Sequence, residues 1–201
     1  MNRNLTEIIF KSLNKETGKP LIKGNFPSPP EKNSDISITV IFDNSLSMEI
    51  SEKLCGKIQG GTDKFCKLLP EFIEISVISV VNSQIRLIRD FQDEKSEWYQ
   101  PCKSKGMSPI KACICLANER MSGRGEEKYI FLISDKKGND EYFFSDDDMK
   151  IIEETAENCK TENISSNPEK LSEYLYWFVR KFSDDDSGDD PFSAKDFLFG
   201  E

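Results

Sequence analysis

The chain has 201 residues, 37% hydrophobic and 31% charged, which suffices for one domain with a buried core plus extensions. A formal net charge of −9 disfavours nucleic acid as a partner, and the strand-sized apolar runs leave no segment able to span a bilayer. There is no histidine, which removes Ser-His-Asp and Cys-His nucleophile activation and the His-ligated zinc hydrolases together. Any chemistry would fall to carboxylates, hydroxyls, thiols or a magnesium-type ion.

Residues 1–34 read as an N-terminal extension. Leu5, Ile8, Ile9 and Leu13 form a short helical stripe, although Thr6 to Leu13 and Lys19 to Phe26 fit equally well as a hairpin turning at Glu16-Thr17-Gly18. Phe26-Pro27-Ser28-Pro29-Pro30 must be extended and serves as a spacer. Ile36 to Phe42 then runs without a charge and stops at Asp43, the pattern of a buried parallel strand ending at the carboxyl edge of a sheet. Asp43, Ser45 and Ser47 follow at alternate positions. Short oxygen-bearing side chains at that spacing can converge on a small hard cation, although Asp and Ser also make ordinary turns and helix caps.

Leu54, Ile58, Gly61, Phe65, Leu68 and Leu69 recur at helical steps, which predicts an amphipathic helix ending near Pro70, with a possible break at Gly60-Gly61. Glu74 to Val81 is the next strand, and Asn82-Ser83 turns it into an antiparallel neighbour over Gln84 to Arg89. Gln92 to Lys105 is a polar connection carrying Trp98 and Tyr99. Ser108-Pro109 precedes Ile110, Cys113, Ile114 and Ala117, an N-terminus signature for a further helix. Tyr129 to Ile133 is a second fully apolar strand, ending in Ser134-Asp135. One of Asp146, Asp147 and Asp148 is expected to cap a helix over Met149 to Cys159, and Pro168 opens a last helix. From Ser183 the chain is an acidic linker followed by an aromatic-containing tail, read either as a solubilising end or as a docking peptide.

The six cysteines, Cys55, Cys66, Cys102, Cys113, Cys115 and Cys159, contain no C-x-x-C pair, and no signal-type segment opens the chain. Both features favour reduced thiols in the cytoplasm.

The order of elements predicts an α/β doubly wound, Rossmann-like sheet with helices on both faces. Ligands of such sheets lie outside the carboxyl ends of the strands. Asp43, Ser108 and Asp135 all fall at or just beyond such ends.

At these residues the sequence resembles the von Willebrand factor type A (vWA) domain family. Asp43-Asn-Ser45-Leu-Ser47-Met48 matches the family's first metal motif, Asp-x-Ser-x-Ser. Gly106-Met107-Ser108-Pro109 looks like the second, with serine where threonine is usual, and Phe131-Leu132-Ile133-Ser134-Asp135 looks like the third. The resemblance spans about residues 36 to 180 and implies a metal-ion-dependent adhesion site. In that site Asp43, Ser45, Ser47 and Ser108 face the ion and Asp135 holds it directly or through water. One coordination position is left for a Glu or Asp of a partner protein. Mg²⁺ is the expected ion, with Mn²⁺ and Ca²⁺ as alternatives of the same donor type. Two departures stand out. Lys136-Lys137-Gly138 follows Asp135 where the family has glycine directly. Beyond Asp135 only Glu141 to Ser145 and Thr161 to Ser166 could be strands, so the sheet is expected to be shortened after the fourth strand, within a domain over residues 35–182.

The plan is similar to the small stand-alone bacterial members encoded beside tellurite-resistance and stress or phage-defence genes. That likeness implies a kinase and phosphatase system as partner. The expected function is metal-dependent protein binding with no catalytic residues. The alternatives are a metal-independent scaffold using Trp98, Tyr99 and the tail, and an aspartyl-phosphate phosphotransferase. For the last, the dehalogenase pattern would want a second aspartate where Ser45 stands.

Overall fold

The computed structural model describes residues 4–28, 35–45, 52–91, 106–134, 138–164 and 168–182. Its elements are α1 (Leu5–Lys11), β1 (Ile36–Asp43), α2 (Glu52–Leu68), β2 (Ile73–Val81), β3 (Gln84–Arg89), α3 (Ile110–Arg120), β4 (Glu127–Ile133), α4 (Asp146–Glu157), β5 (Thr161–Ile164) and α5 (Pro168–Phe182). They form one five-stranded sheet in the order β3-β2-β1-β4-β5, parallel except for the β2–β3 hairpin. The expected α/β doubly wound architecture is therefore observed, and the far side of the sheet ends in a strand of four residues.

Strand β1 is central because it is apolar on both faces. Ile36, Ile38, Val40 and Phe42 pack with α2 and α5, while Ile41 faces the core shared with α1, α3 and α4. All eight of its residues are buried, as a strand with parallel neighbours on both sides requires. Thr39 and Ser76, side by side on the α3 face of β1 and β2, satisfy each other with a 2.8 Å hydrogen bond.

The N-terminal segment combines the two forms its sequence allowed. Helix α1 is followed by a turn in which Asn14 and Lys19 are hydrogen-bonded and Leu13 bridges Pro20 in antiparallel fashion. The Asn14 carboxamide caps that turn, accepting from the amides of Glu16 and Thr17. Leu21 and Lys23 then exchange backbone hydrogen bonds with Ile85, which covers the outer edge of β3. Ile8, Ile9 and Leu21 are buried in the domain core, so residues 5–23 are part of the packed unit.

Several local expectations are corrected. Helix α2 runs unbroken through Gly60 and Gly61. Its buried stripe is Cys55, Ile58, Thr62, Phe65, Cys66 and Leu69, whereas Leu68 is exposed. Ser145, rather than an aspartate, caps α4 by accepting from the Asp148 amide. Glu141 to Ser145 is a tight turn instead of a strand, and β5 is the strand expected over Thr161 to Ser166. Cys66, Cys113, Cys115 and Cys159 are free thiols, but Cys55 is half of a disulfide whose other half lies outside the described residues. The expectation of reduced thiols holds at those four and not at Cys55, because spacing along the chain does not report which cysteines meet in space. No helix among the described residues is long and apolar enough to cross a membrane.

Candidate metal centre

Asp43 is the last residue of β1, and its side chain leaves the sheet on the α3 face at the carboxyl edge. The register pairs Phe42 with Ile133, so the next residue of each strand, Asp43 and Ser134, stand side by side. The Ser134 hydroxyl donates to Asp43 Oδ2 at 2.7 Å, and the Ser45 amide donates to Asp43 Oδ1 at 3.0 Å. Beyond Asp43 the chain keeps following β2, since the Asn44 amide donates to the Val80 carbonyl.

The carboxylate of Asp43 is fully buried. Burial raises its pKa, while the hydroxyls of Ser134, Ser45 and Ser108 and the amide of Ser45 pull it back toward the ionised form. None of these causes is a basic side chain, so among the described residues the groups that favour its negative charge are neutral dipoles.

Ser108 arrives from the loop before α3 and is also 0% exposed. Its hydroxyl lies near enough to favour the ionised form of Asp43, yet among the described residues it makes no bond of proper hydrogen-bond geometry. A buried hydroxyl left without a partner is uncommon and costs about 1–3 kcal/mol. A cation between it and the carboxylate would satisfy both.

The loop carrying Ser108 is pinned from two sides. Asn82 and Ser83 both have positive φ, as a tight hairpin turn demands, and Ser83 Oγ accepts the Met107 amide at 2.7 Å. Gly106 has φ +107°, and a Cβ there would sit 2.1 Å from Ser83 Oγ, so only glycine fits. On the other side, the Asn139 amide donates to the Ser108 carbonyl at 2.7 Å. Asp140 accepts the amides of Lys111 and Ala112 at the start of α3.

Three of the five expected ligand residues, Asp43, Ser45 and Ser108, are thus brought together, and Ser134 joins them unforeseen as a donor. Ser47 and Asp135 lie outside the described residues, as do Lys136 and Lys137. Among the described residues no group of three or more His, Cys, Asp or Glu side chains could hold a metal. The described part of the site offers one carboxylate and several hydroxyls, a hard oxygen set suited to Mg²⁺ and unsuited to zinc or copper. Beneath it Cys113 is fully buried, and burial together with Asp140 and Asp43 pushes its thiol well above the ordinary range. It stays protonated and unsuited to nucleophilic chemistry.

No protein-family profile matches the chain, and no curated protein sequence matches it. Solved structures do resemble it. The ArnB paralog VWA2 from Sulfolobus acidocaldarius aligns with a TM-score of 0.46 at 18% identity, over 72% of this chain and 39% of that one. Proximal thread matrix protein 1 from the mussel byssus aligns at 0.47 and 13%, over 70% and 42%. The N-terminal domains of the type V pili tip protein Mfa5 from Porphyromonas gingivalis align at 0.43 and 16%, over 52% and 20%. The chain therefore spans less than half the length of these structures. At such identities the likeness concerns the fold and conveys nothing about activity.

Proposed function

We propose that this chain is a protein-interaction module of vWA type in which a Mg²⁺-class ion, held by Asp43, Ser45, Ser47, Ser108 and Asp135, captures a Glu or Asp of a partner protein. The observation that carries the reading is the juxtaposition of a fully buried carboxylate at Asp43 with the unpartnered buried hydroxyl of Ser108. The ion would supply a concentrated positive charge to which an incoming carboxylate binds. The chain's own residues position the oxygens and exclude water from them. In this reading no residue is catalytic.

By its resemblance to the small bacterial members, the module would serve a multi-protein stress or defence system, with a kinase and phosphatase pair as candidate partners. The reading keeps it in the cytoplasm, where the Cys55 disulfide would be open to reduction. The competing reading is a metal-independent scaffold, favoured by the positive charge of Lys136 and Lys137 directly after Asp135.

A pull-down with purified protein as bait separates the two. It is run with Mg²⁺, with EDTA, and with Asp43→Ala in Mg²⁺. Partners lost in both altered lanes support metal-mediated capture. Partners retained in all three lanes overturn it in favour of the scaffold.

A further inference from the structure

We infer that Asn139 and Asp140, which belong to none of the metal motifs, are the positioning residues that prepare Ser108 for a cation. The inference rests on the metal-binding reading and names what tunes it. Three observations converge on this pair.

The first is electrostatic. Helix α3 begins two residues after Ser108, and its cap residue Pro109 has no side chain able to accept a hydrogen bond. The free amides of a helix N-terminus carry about half a positive charge, which would oppose a cation bound next to it. Asp140 reaches in from the segment after β4 and takes two of those amides, Ala112 at 2.9 Å and Lys111 at 3.2 Å. It is 2% exposed, so its negative charge is delivered within the protein, where screening by water is weak. The helix end beside Ser108 is thereby neutralised.

The second is geometric. Asn139 exchanges hydrogen bonds with Ser108 in both directions. Its amide donates to the Ser108 carbonyl at 2.7 Å, and its side-chain Oδ1 accepts the Ser108 amide at 3.4 Å. With Ser83 holding Met107 from the opposite side, the backbone of Ser108 is clamped at a fixed distance from β1. Its hydroxyl is left as the one polar group of the residue without a partner.

The third is steric. A Cβ at Gly138 would fall 2.8 Å from an Asp140 carboxylate oxygen and 3.7 Å from the Ser108 carbonyl. A side chain there would press on the Asp140 oxygen that accepts the Lys111 amide, whereas the distance to Ser108 is ordinary contact. The glycine that follows the two lysines therefore leaves room for the Asp140 carboxylate at the start of α3.

The test measures binding of Mn²⁺ alone to the full-length protein by the electron paramagnetic resonance signal of the free ion. The wild type is compared with Asp43→Ala, Asp140→Asn, Asn139→Ala and Asn139→Asp. Partners one shell removed from a metal are worth about 10–100-fold in affinity. Asp140→Asn keeps the shape and removes the charge, and it should weaken Mn²⁺ about tenfold. Asn139→Ala should weaken it severalfold, while Asn139→Asp, which keeps an acceptor for the Ser108 amide, should restore it. A purely structural role would lower thermal stability without this separation between Ala and Asp at position 139.

Wild-type affinity in both Asp140→Asn and Asn139→Ala overturns the inference and leaves the metal reading standing. If Asp140→Asn fails to fold, the pair at position 139 decides, because Asn139 is only half-buried. A wild type that binds no Mn²⁺ overturns the metal reading itself and this inference with it.

Discussion

The hydroxyl of Ser134 donates a 2.7 Å hydrogen bond to Asp43, joining residues 91 positions apart at the ends of two adjacent parallel strands. It is a bond from a neutral donor to a buried acid, and it favours the ionised form. Ser134→Ala should therefore destabilise the ion-free protein by about 1–3 kcal/mol at neutral pH. The loss should shrink at acid pH, as the carboxyl takes up a proton and needs the donor less. Urea unfolding of the two proteins at both pH values checks this, and an equal loss at both would contradict it.

Asp43→Asn should separate binding from folding. An asparagine can accept from the Ser45 amide and donate to the Ser134 hydroxyl, so it preserves these two contacts of the carboxylate. It also removes a buried charge whose pKa is raised by burial. Without divalent ions the variant should be at least as stable as wild type at pH 7.5. Mg²⁺ at a hundred times its dissociation constant should stabilise the wild type by about 2.7 kcal/mol and the variant not at all. Thermal unfolding with and without Mg²⁺ reads both effects.

Asp140 gives the ion-free protein a specific pH dependence. Burial lifts its pKa from 3.8 to about 6 against the opposing pull of two backbone amides. A raised acid binds more protons folded than unfolded, so its contribution to stability is complete below pH 3.8 and is lost as pH rises to about 6. Two pH units correspond to a change on the order of 3 kcal/mol. Subtracting the stability profile of Asp140→Asn from that of wild type should leave a fall confined to this window. A flat difference would show that folding leaves the pKa of Asp140 unshifted.

Phe131 is the centre of the core between the sheet and helices α2 and α5. Its ring lies 4.8 Å from Phe178, 5.7 Å from Tyr174, 6.0 Å from Phe65 and 6.1 Å from Tyr129. Phe131→Ala should cost about 3–5 kcal/mol, through lost transfer energy and the cavity left among four rings. The urea midpoint should fall with the slope of the transition unchanged.

What the sequence disclosed follows from the range of the interactions involved. The strands β1 and β4 were legible because their burial is written residue by residue, and Asp43 because a charge ends an apolar run. Ser108 was legible as a helix-start signal, although its cap proved to be a distant aspartate. Asn139 and Asp140 were not singled out in the sequence, since nothing in local composition reports a bond across about 30 positions. The same blindness explains the Cys55 disulfide. Leu68 was misassigned because helical spacing fits two neighbouring stripes, and only the position of the sheet chooses between them.

The placement of β1 between two later strands also sets an order of events during synthesis. This Ile-rich strand leaves the ribosome before either partner, since β2 begins at Ile73 and β4 only at Glu127. The separation of 91 residues corresponds to about 5–20 s of translation at 5–20 residues per second. For that interval β1 is a bare apolar edge of the kind that pairs with other chains. The nascent protein is thus a natural client for ribosome-associated chaperones until β4 emerges. Chains stalled near residue 125 should be degraded by added protease far faster than chains stalled after release of α5.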